Sequence, residues 1–116
     1  PEAMESKQIG VWIHQNIDSK TLVYHWGAEP GIYFWAKRTP PVGMIVTYPL
    51  FMGNPEFITR HTEKLLQQLE QSPPGLVVAN KAMLIQDHPV VKWLAAHYKI
   101  SPDFPETERF ILLIPR

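Results

Sequence analysis

The stretch Trp26-Gly27-Ala28-Glu29-Pro30 joins a β-branched and aromatic run, TLVYHW, to an aromatic segment, GIYFWAKR. An open α/β sheet binds its ligands at turns of this kind, beyond the carboxyl ends of its strands. Tyr48-Pro49 and Asn80-Lys81 end two further predicted strands at the same expected edge. Glu29 and Asp87 both lie near predicted strand mouths, and paired carboxylates facing one another across a cleft can do acid–base work. The plainer reading is preferred: Glu29 favours a helix N-terminus and Asp87, or His88 beside it, caps a second helix. The aromatics Trp26, Tyr33, Phe34 and Trp35 could stack on a sugar ring. At adjacent helical positions they are expected to pack a core instead, with one or two left exposed for docking on protein or membrane headgroups. Trp26, Glu29, Tyr33, Arg38, Tyr48 and Asn80 are therefore the ligand or docking candidates, and no residue is assigned a catalytic role.

Other chemistries lack the residues they require. A phosphate cradle needs closely spaced glycines, but Gly27 stands alone and is followed by Glu29, whose carboxylate repels phosphate. His14, His25, His61, His88 and His97 are scattered, with no pair at i, i+4, so each is expected at the surface or in a cap rather than on zinc. Ser6, Ser19, Ser72 and Ser101 fall in predicted helix starts or loops, not in a tight strand-to-helix turn. There is no cysteine, which removes disulfides and thiolate metal sites. Eleven basic side chains balance eleven acidic ones, an arrangement without the basic excess that nucleic acid or anionic lipid would select. Neither a cofactor nor a metal is expected.

The elements that must position these residues follow from periodicity and punctuation. In ESKQIGVWIHQNI, Ile9, Trp12, Ile13 and Ile17 recur at helical spacing, although Gly10 weakens that helix by about 1 kcal/mol relative to Ala. TLVYHW is a strand. Pro30 suits the first position of a short helix, PGIYFWAKR, whose carbonyl end Lys37 and Arg38 complement before Pro40-Pro41 stops it. GMIVTY is a second strand, ended by Pro49. GNPEFITRHTEKLLQQLEQS is a helix capped by Asn54, with Ile58, Thr62, Leu65, Leu66 and Leu69 on one face. LVVAN is a short apolar strand. DHPVVKWLAAHY is a helix with Val90, Val91, Leu94, Ala95 and Tyr98 as its buried stripe. YKIS and ERFILLIP close the chain as a hairpin across Pro102–Pro105.

Alternating helices and strands in 116 residues predict a single α/β domain over 1–116. The expected form is a three-layer α/β/α sandwich on a mostly parallel sheet of about four or five strands, the C-terminal strand being free to run antiparallel. No apolar run approaches the ~20 residues that span a bilayer, and PEAMESKQ lacks the features of a signal peptide. An opening Pro1 without an initiator Met is expected of a fragment or a processed chain.

TLVYHWGAEPGIYFWAKRTPPVGMIVTYPL, followed by a helix and PPGLVVAN, resembles the C-terminal soluble region of bacterial polytopic membrane glycosyltransferases. These are the family 39, GT-C type enzymes related to dolichyl-phosphate-mannose–protein mannosyltransferases. The shared pattern is a strand ending in Trp-Gly, a Glu-Pro-x-x-Tyr-Phe helix, an Arg with prolines, and a later PP…VV strand. It covers nearly the whole chain, through aromatic, Gly and Pro positions rather than catalytic ones. The resemblance implies an extracytoplasmic, periplasmic domain of an enzyme that moves a sugar from a polyprenyl-phosphate carrier. Its partners would be the transmembrane portion of the same polypeptide and, through it, a lipid-linked sugar or glycan acceptor. The family's catalytic acid lies in the membrane portion, and nothing here matches it. Glu29, Tyr33 and Arg38 fit the pattern. A small-ligand-binding α/β module for sugar or nucleotide, and an assembly module forming a weak homodimer, are the alternatives.

Overall fold

The computed structural model describes residues 2–40, 54–104 and 107–116, with side chains in the first helix from Met4 onward. Helix α1 (Glu2–Asn16) begins earlier than its apolar periodicity indicates. Its buried positions are Ser6, Ile9, Gly10 and Ile13, one face at helical spacing. Strand β1 (Val23–Trp26) is buried at all four positions. Pro30 takes the cap position of α2 (Gly31–Ala36), whose Ile32, Tyr33 and Ala36 turn inward. That helix ends on Lys37, a non-glycine residue in the left-handed region at φ 56°. There its N–H reaches the Phe34 carbonyl, while the Arg38 N–H reaches that of Tyr33.

Helix α3 (Pro55–Gln71) starts as its sequence dictates, the Asn54 Oδ1 accepting the Phe57 N–H at 2.8 Å. Thr62, Leu65 and Leu69 are its buried face. Strand β2 (Leu76–Asn80) leads through a single 3₁₀ turn, Lys81–Met83, toward α4 (Pro89–His97). His88, not Asp87, caps α4, its Nδ1 accepting the Val90 N–H at 3.1 Å. Val90 and Leu94 are buried while Ala95 is exposed, so the buried stripe is narrower than the apolar pattern suggests. Tyr98, assigned to that stripe, is buried with Val90 and Leu94 as expected but begins β3 (Tyr98–Ile100), and β4 (Phe110–Pro115) completes the hairpin. The expected strand GMIVTY, with Tyr48, lies outside the described residues.

Among the described residues the result is a mixed α/β structure on an open four-stranded sheet, ordered β1-β2-β4-β3. The expectation of a mostly parallel sheet is corrected: β1 and β2 pair in parallel, but β4 runs antiparallel to both β2 and β3. The physical reason is insertion. β1, β2 and β3 point the same way, as crossovers through helices require. The last strand slots between β3 and β2, so a single reversed strand makes two of the three pairings antiparallel.

Side chains alternate across the strands and divide between two buried clusters. Val23, Leu76, Val78, Phe110 and Leu112 pack with Ile9 and Ile13 of α1 and with Ile32 and Ala36 of α2. Tyr24, Trp26, Val77, Ala79 and Leu113 pack with Leu65 and Leu69 of α3 and with Val90 and Leu94 of α4. Each large side chain fully buried in this way stabilises the fold by about 1.5–3 kcal/mol.

The α1–α2 crossing is set at Gly10. A Cβ there would lie 2.4 Å from the Cβ of Trp35 and 3.0 Å from the backbone N of Ala36 and the O of Ile32. Gly→Ala in a helix interior ordinarily gains about 1 kcal/mol, but forcing two packed helices apart costs about 1–3 kcal/mol. Gly10→Ala is therefore expected to lower stability despite its better helix propensity. Urea unfolding with an unchanged or raised midpoint would contradict this.

Candidate functional site

At the mouth of β1 the structure gathers His25, Glu29 and Tyr33 with two residues distant in sequence, Ser6 and Arg109. His25 is fully buried, contrary to the surface or cap position expected of it. Its sequence context held the clue: a strand apolar at Val23, Tyr24 and Trp26 has no solvent face for the fourth residue to occupy. The imidazole Nδ1 lies 2.8 Å from the carbonyl O of Val78, and Nε2 lies 3.2 Å from the amide N of Glu29. A carbonyl only accepts and an amide N–H only donates, so the ring carries its proton on Nδ1 and is neutral. Burial drives its pKa down from 6.5 to about 4, overcoming the opposite influences of the Val78 carbonyl and the Glu29 carboxylate.

Tyr33 closes the other side. Its hydroxyl accepts the backbone N–H of His25 at 2.7 Å, and burial pushes its pKa up to about 12. Gly27 is required by the ring itself, because a Cβ there would stand 2.4–2.5 Å from the His25 Cε1 and Nε2. The glycine thus serves a close approach of backbone to side chain. Glu29 lies just beyond. Its Oε2 accepts the Ser6 hydroxyl at 2.6 Å, and its Oε1 pairs with the Arg109 guanidinium. Arg109 also lies 3.5 Å from Glu5 and over the Phe110 ring, 4.7 Å from its centroid. Glu29 thereby ties the β1–α2 turn to α1 and to the start of β4.

The remaining candidates make other contacts. Trp26 is fully buried, donating its indole N–H to the Met83 carbonyl at 2.7 Å and meeting the His88 ring edge-on at 5.1 Å. Asn80 caps the 3₁₀ turn, its Oδ1 accepting the Ala82 N–H at 2.9 Å. Arg38 forks between the carbonyls of Ile17 and Thr21, each at 2.9 Å, and so clamps the α1–β1 connection onto the end of α2. Tyr48 lies outside the described residues. Glu29 faces Ser6 and Arg109, whereas Asp87 sits exposed in the turn before α4. Of the six candidates, Glu29 and Tyr33 come together around His25, and Asn80 adjoins the same turn, its Cβ 3.2 Å from where a Cβ on Gly27 would stand.

This arrangement holds protons in place. Both imidazole nitrogens are engaged internally, and Tyr33 stays protonated across the ordinary pH range. No group of three or more His, Cys, Asp or Glu that could hold a metal occurs among the described residues. Nor is any helix among them long and apolar enough to cross a membrane. An open groove of about 770 Å³ lies on the outer face of α1, between Met4, Lys7, Gln8, Trp12 and the side chain of Phe104. Sequence reasoning missed it, since it pairs α1 with a loop about 90 residues onward in the chain. Comparison with protein-family models, with curated proteins and with solved structures gives no match to this chain.

Two outcomes follow from the geometry. The unfolded chain binds a proton at His25 near pH 6.5 and the folded chain only near pH 4. Its contribution to stability is thus complete above pH 6.5 and declines as the pH falls toward 4, by ~3 kcal/mol in all. His25→Asn keeps a donor near the Nδ1 position; it should be less stable at neutral pH and should lose most of that slope. Denaturant titrations at pH 7 and 4.5 read the difference, and an equal slope in both proteins would refute it. Glu29→Ala leaves Ser6 and Arg109 without their shared partner at a partly buried site, and should cost about 1–3 kcal/mol. A loss under 0.5 kcal/mol would show that the tie is unimportant.

Proposed function

We propose that this chain is a non-catalytic, extracytoplasmic domain of a bacterial polytopic membrane glycosyltransferase of the family 39, GT-C type. The parent enzyme would move a sugar from a polyprenyl-phosphate carrier, with its reacting groups in the membrane portion of the same polypeptide. The observation that carries the reading is the inward commitment of Glu29, Tyr33 and Arg38, the polar residues that fit the family pattern. Each spends its hydrogen bonds on this chain's own backbone or side chains. Residues so used build a scaffold, and the chemistry then belongs elsewhere. The two buried clusters on alternating strand residues are compatible with the three-layer α/β/α arrangement that the resemblance implies.

The groove beside Trp12 favours one second reading, a small-ligand module, because Trp12 and Phe104 line it together with Gln8 and Gln15. A thermal-shift screen of sugars and nucleotides separates the two. A saturable shift abolished by Trp12→Ala would favour the module, and no shift with any of them would count against it. The leading reading predicts several apolar segments of ~20 residues encoded upstream in the same gene. It also predicts that this chain alone turns over no lipid-linked sugar. Transfer by the isolated chain, or a gene without such segments, would overturn it.

A further inference from the structure

The start of the β1–α2 turn holds a buried base whose bonding fits one protonation state. His25 has Nδ1 2.8 Å from the Val78 carbonyl and Nε2 3.2 Å from the Glu29 amide N. The first partner only accepts and the second only donates, so a second proton, on Nε2, faces the Glu29 N–H donor to donor. The Gly27 backbone closes the space beside that nitrogen, since a Cβ there would stand 2.4–2.5 Å from Cε1 and Nε2. The charges that act on the ring are Glu29 of the turn and Arg109, just before β4. From α2 comes the Tyr33 hydroxyl, which accepts the His25 N–H, and from β4 the Phe110 ring at 5.9 Å. From α1, Ser6 and Glu5 connect through the Glu29–Arg109 pair. The β2 side offers the Val78 carbonyl and Asn80, neither of which titrates. Within this set the Glu29 carboxylate is the acceptor that an imidazolium selects, since a charge-assisted bond is the stronger one.

We propose that the β1–α2 turn is a proton-operated latch. A proton taken from solvent onto Nε2 displaces the Glu29 N–H, the Glu29 carboxylate leaves Ser6 and Arg109 for the imidazolium, and α2 is released from α1 while the sheet stays paired. The release is local for two reasons. The Glu29 carbonyl accepts the Ile32 N–H at 3.1 Å, so moving this residue undoes the first bond of α2, and a helix of six residues does not stand without outside contacts. The sheet, in contrast, is joined by its own ladders, β1 to β2 over Val23–Trp26 and β4 to both β2 and β3. Burial holds the His25 pKa down at about 4, so the latch is closed at neutral pH and opens as the pH falls toward that value. The device holds or fails independently of the functional reading above.

The experiment is nitrogen-15 NMR of this chain across the acid range, following the His25 ring nitrogens and the exchange protection of backbone amides. At neutral pH the ring should carry its proton on Nδ1 alone. As the doubly protonated ring grows in, protection of the Ile32, Tyr33 and Arg38 amides should fall at least about tenfold, while the Val77 and Val78 amides of β2 keep theirs. Glu29→Gln, which retains the amide and removes the charge, should move the midpoint of that step down by about 1 pH unit. His25→Asn should show no step; should that variant fail to fold, the coincidence of ring protonation with α2 exposure in the unaltered chain decides the matter. Loss of β2 protection together with that of α2, a doubly protonated ring with α2 still protected, an unmoved midpoint in Glu29→Gln, or the same step in His25→Asn would each overturn the proposal.

Discussion

The neutral imidazole of His25 is the constraint around which the strand mouth is built. A polar ring with no exposure is tolerable only if both nitrogens find partners, and here both partners are backbone groups. The Val78 carbonyl belongs to the neighbouring strand, so the ring reinforces the parallel β1–β2 pairing. The Glu29 amide belongs to the turn, so the same ring sets the turn's course toward α2. Gly27 must lack a side chain because the ring occupies its space, and Tyr33 must face inward to receive the His25 N–H. Strand, turn and helix are therefore coupled through one side chain that must remain uncharged.

Glu29 extends that coupling to the rest of the molecule. Ser6 brings in α1, and Arg109 brings in the residue just before β4, whose main chain is already joined to the sheet. A partly buried ion pair is weak evidence of stabilisation by itself, because desolvation offsets much of its attraction. Its value here is geometric. Arg38 performs a comparable service at the other end of α2, holding Ile17 and Thr21 with its two terminal nitrogens. The short helix is pinned at both ends, which is why six residues can hold a fixed orientation without a long apolar face.

A consequence of pinning α2 is the division of its aromatics. With Tyr33 committed inward and the helices touching at Gly10, Phe34 and Trp35 have nowhere to go but the surface. Polar groups are thus drawn into the interior around His25, while apolar rings stand outside beside Lys7. That inversion leaves the polar groups of the strand mouth bonded to one another and the two rings at the surface.

Local elements were readable because their determinants are local. Asn54-Pro55 starts α3, Pro89 starts α4, and the apolar LVVAN is a buried strand, each from a few adjacent residues. The α/β class and the hairpin at the end of the chain came from the same source. The sheet's pairing pattern was not readable, since alternation cannot reveal that β4 inserts between β2 and β3. His25 reads as a surface group along the chain because histidine type says little without the Val78 carbonyl, 53 residues away, that receives its proton. Arg109 and Ser6 carry no local signature, being 80 and 23 residues from Glu29. Gly10 reads as a helix defect in one dimension and as a contact point in three. Local propensity and punctuation depend on neighbours along the chain, whereas burial, pairing and protonation depend on neighbours in space, which only the folded arrangement supplies.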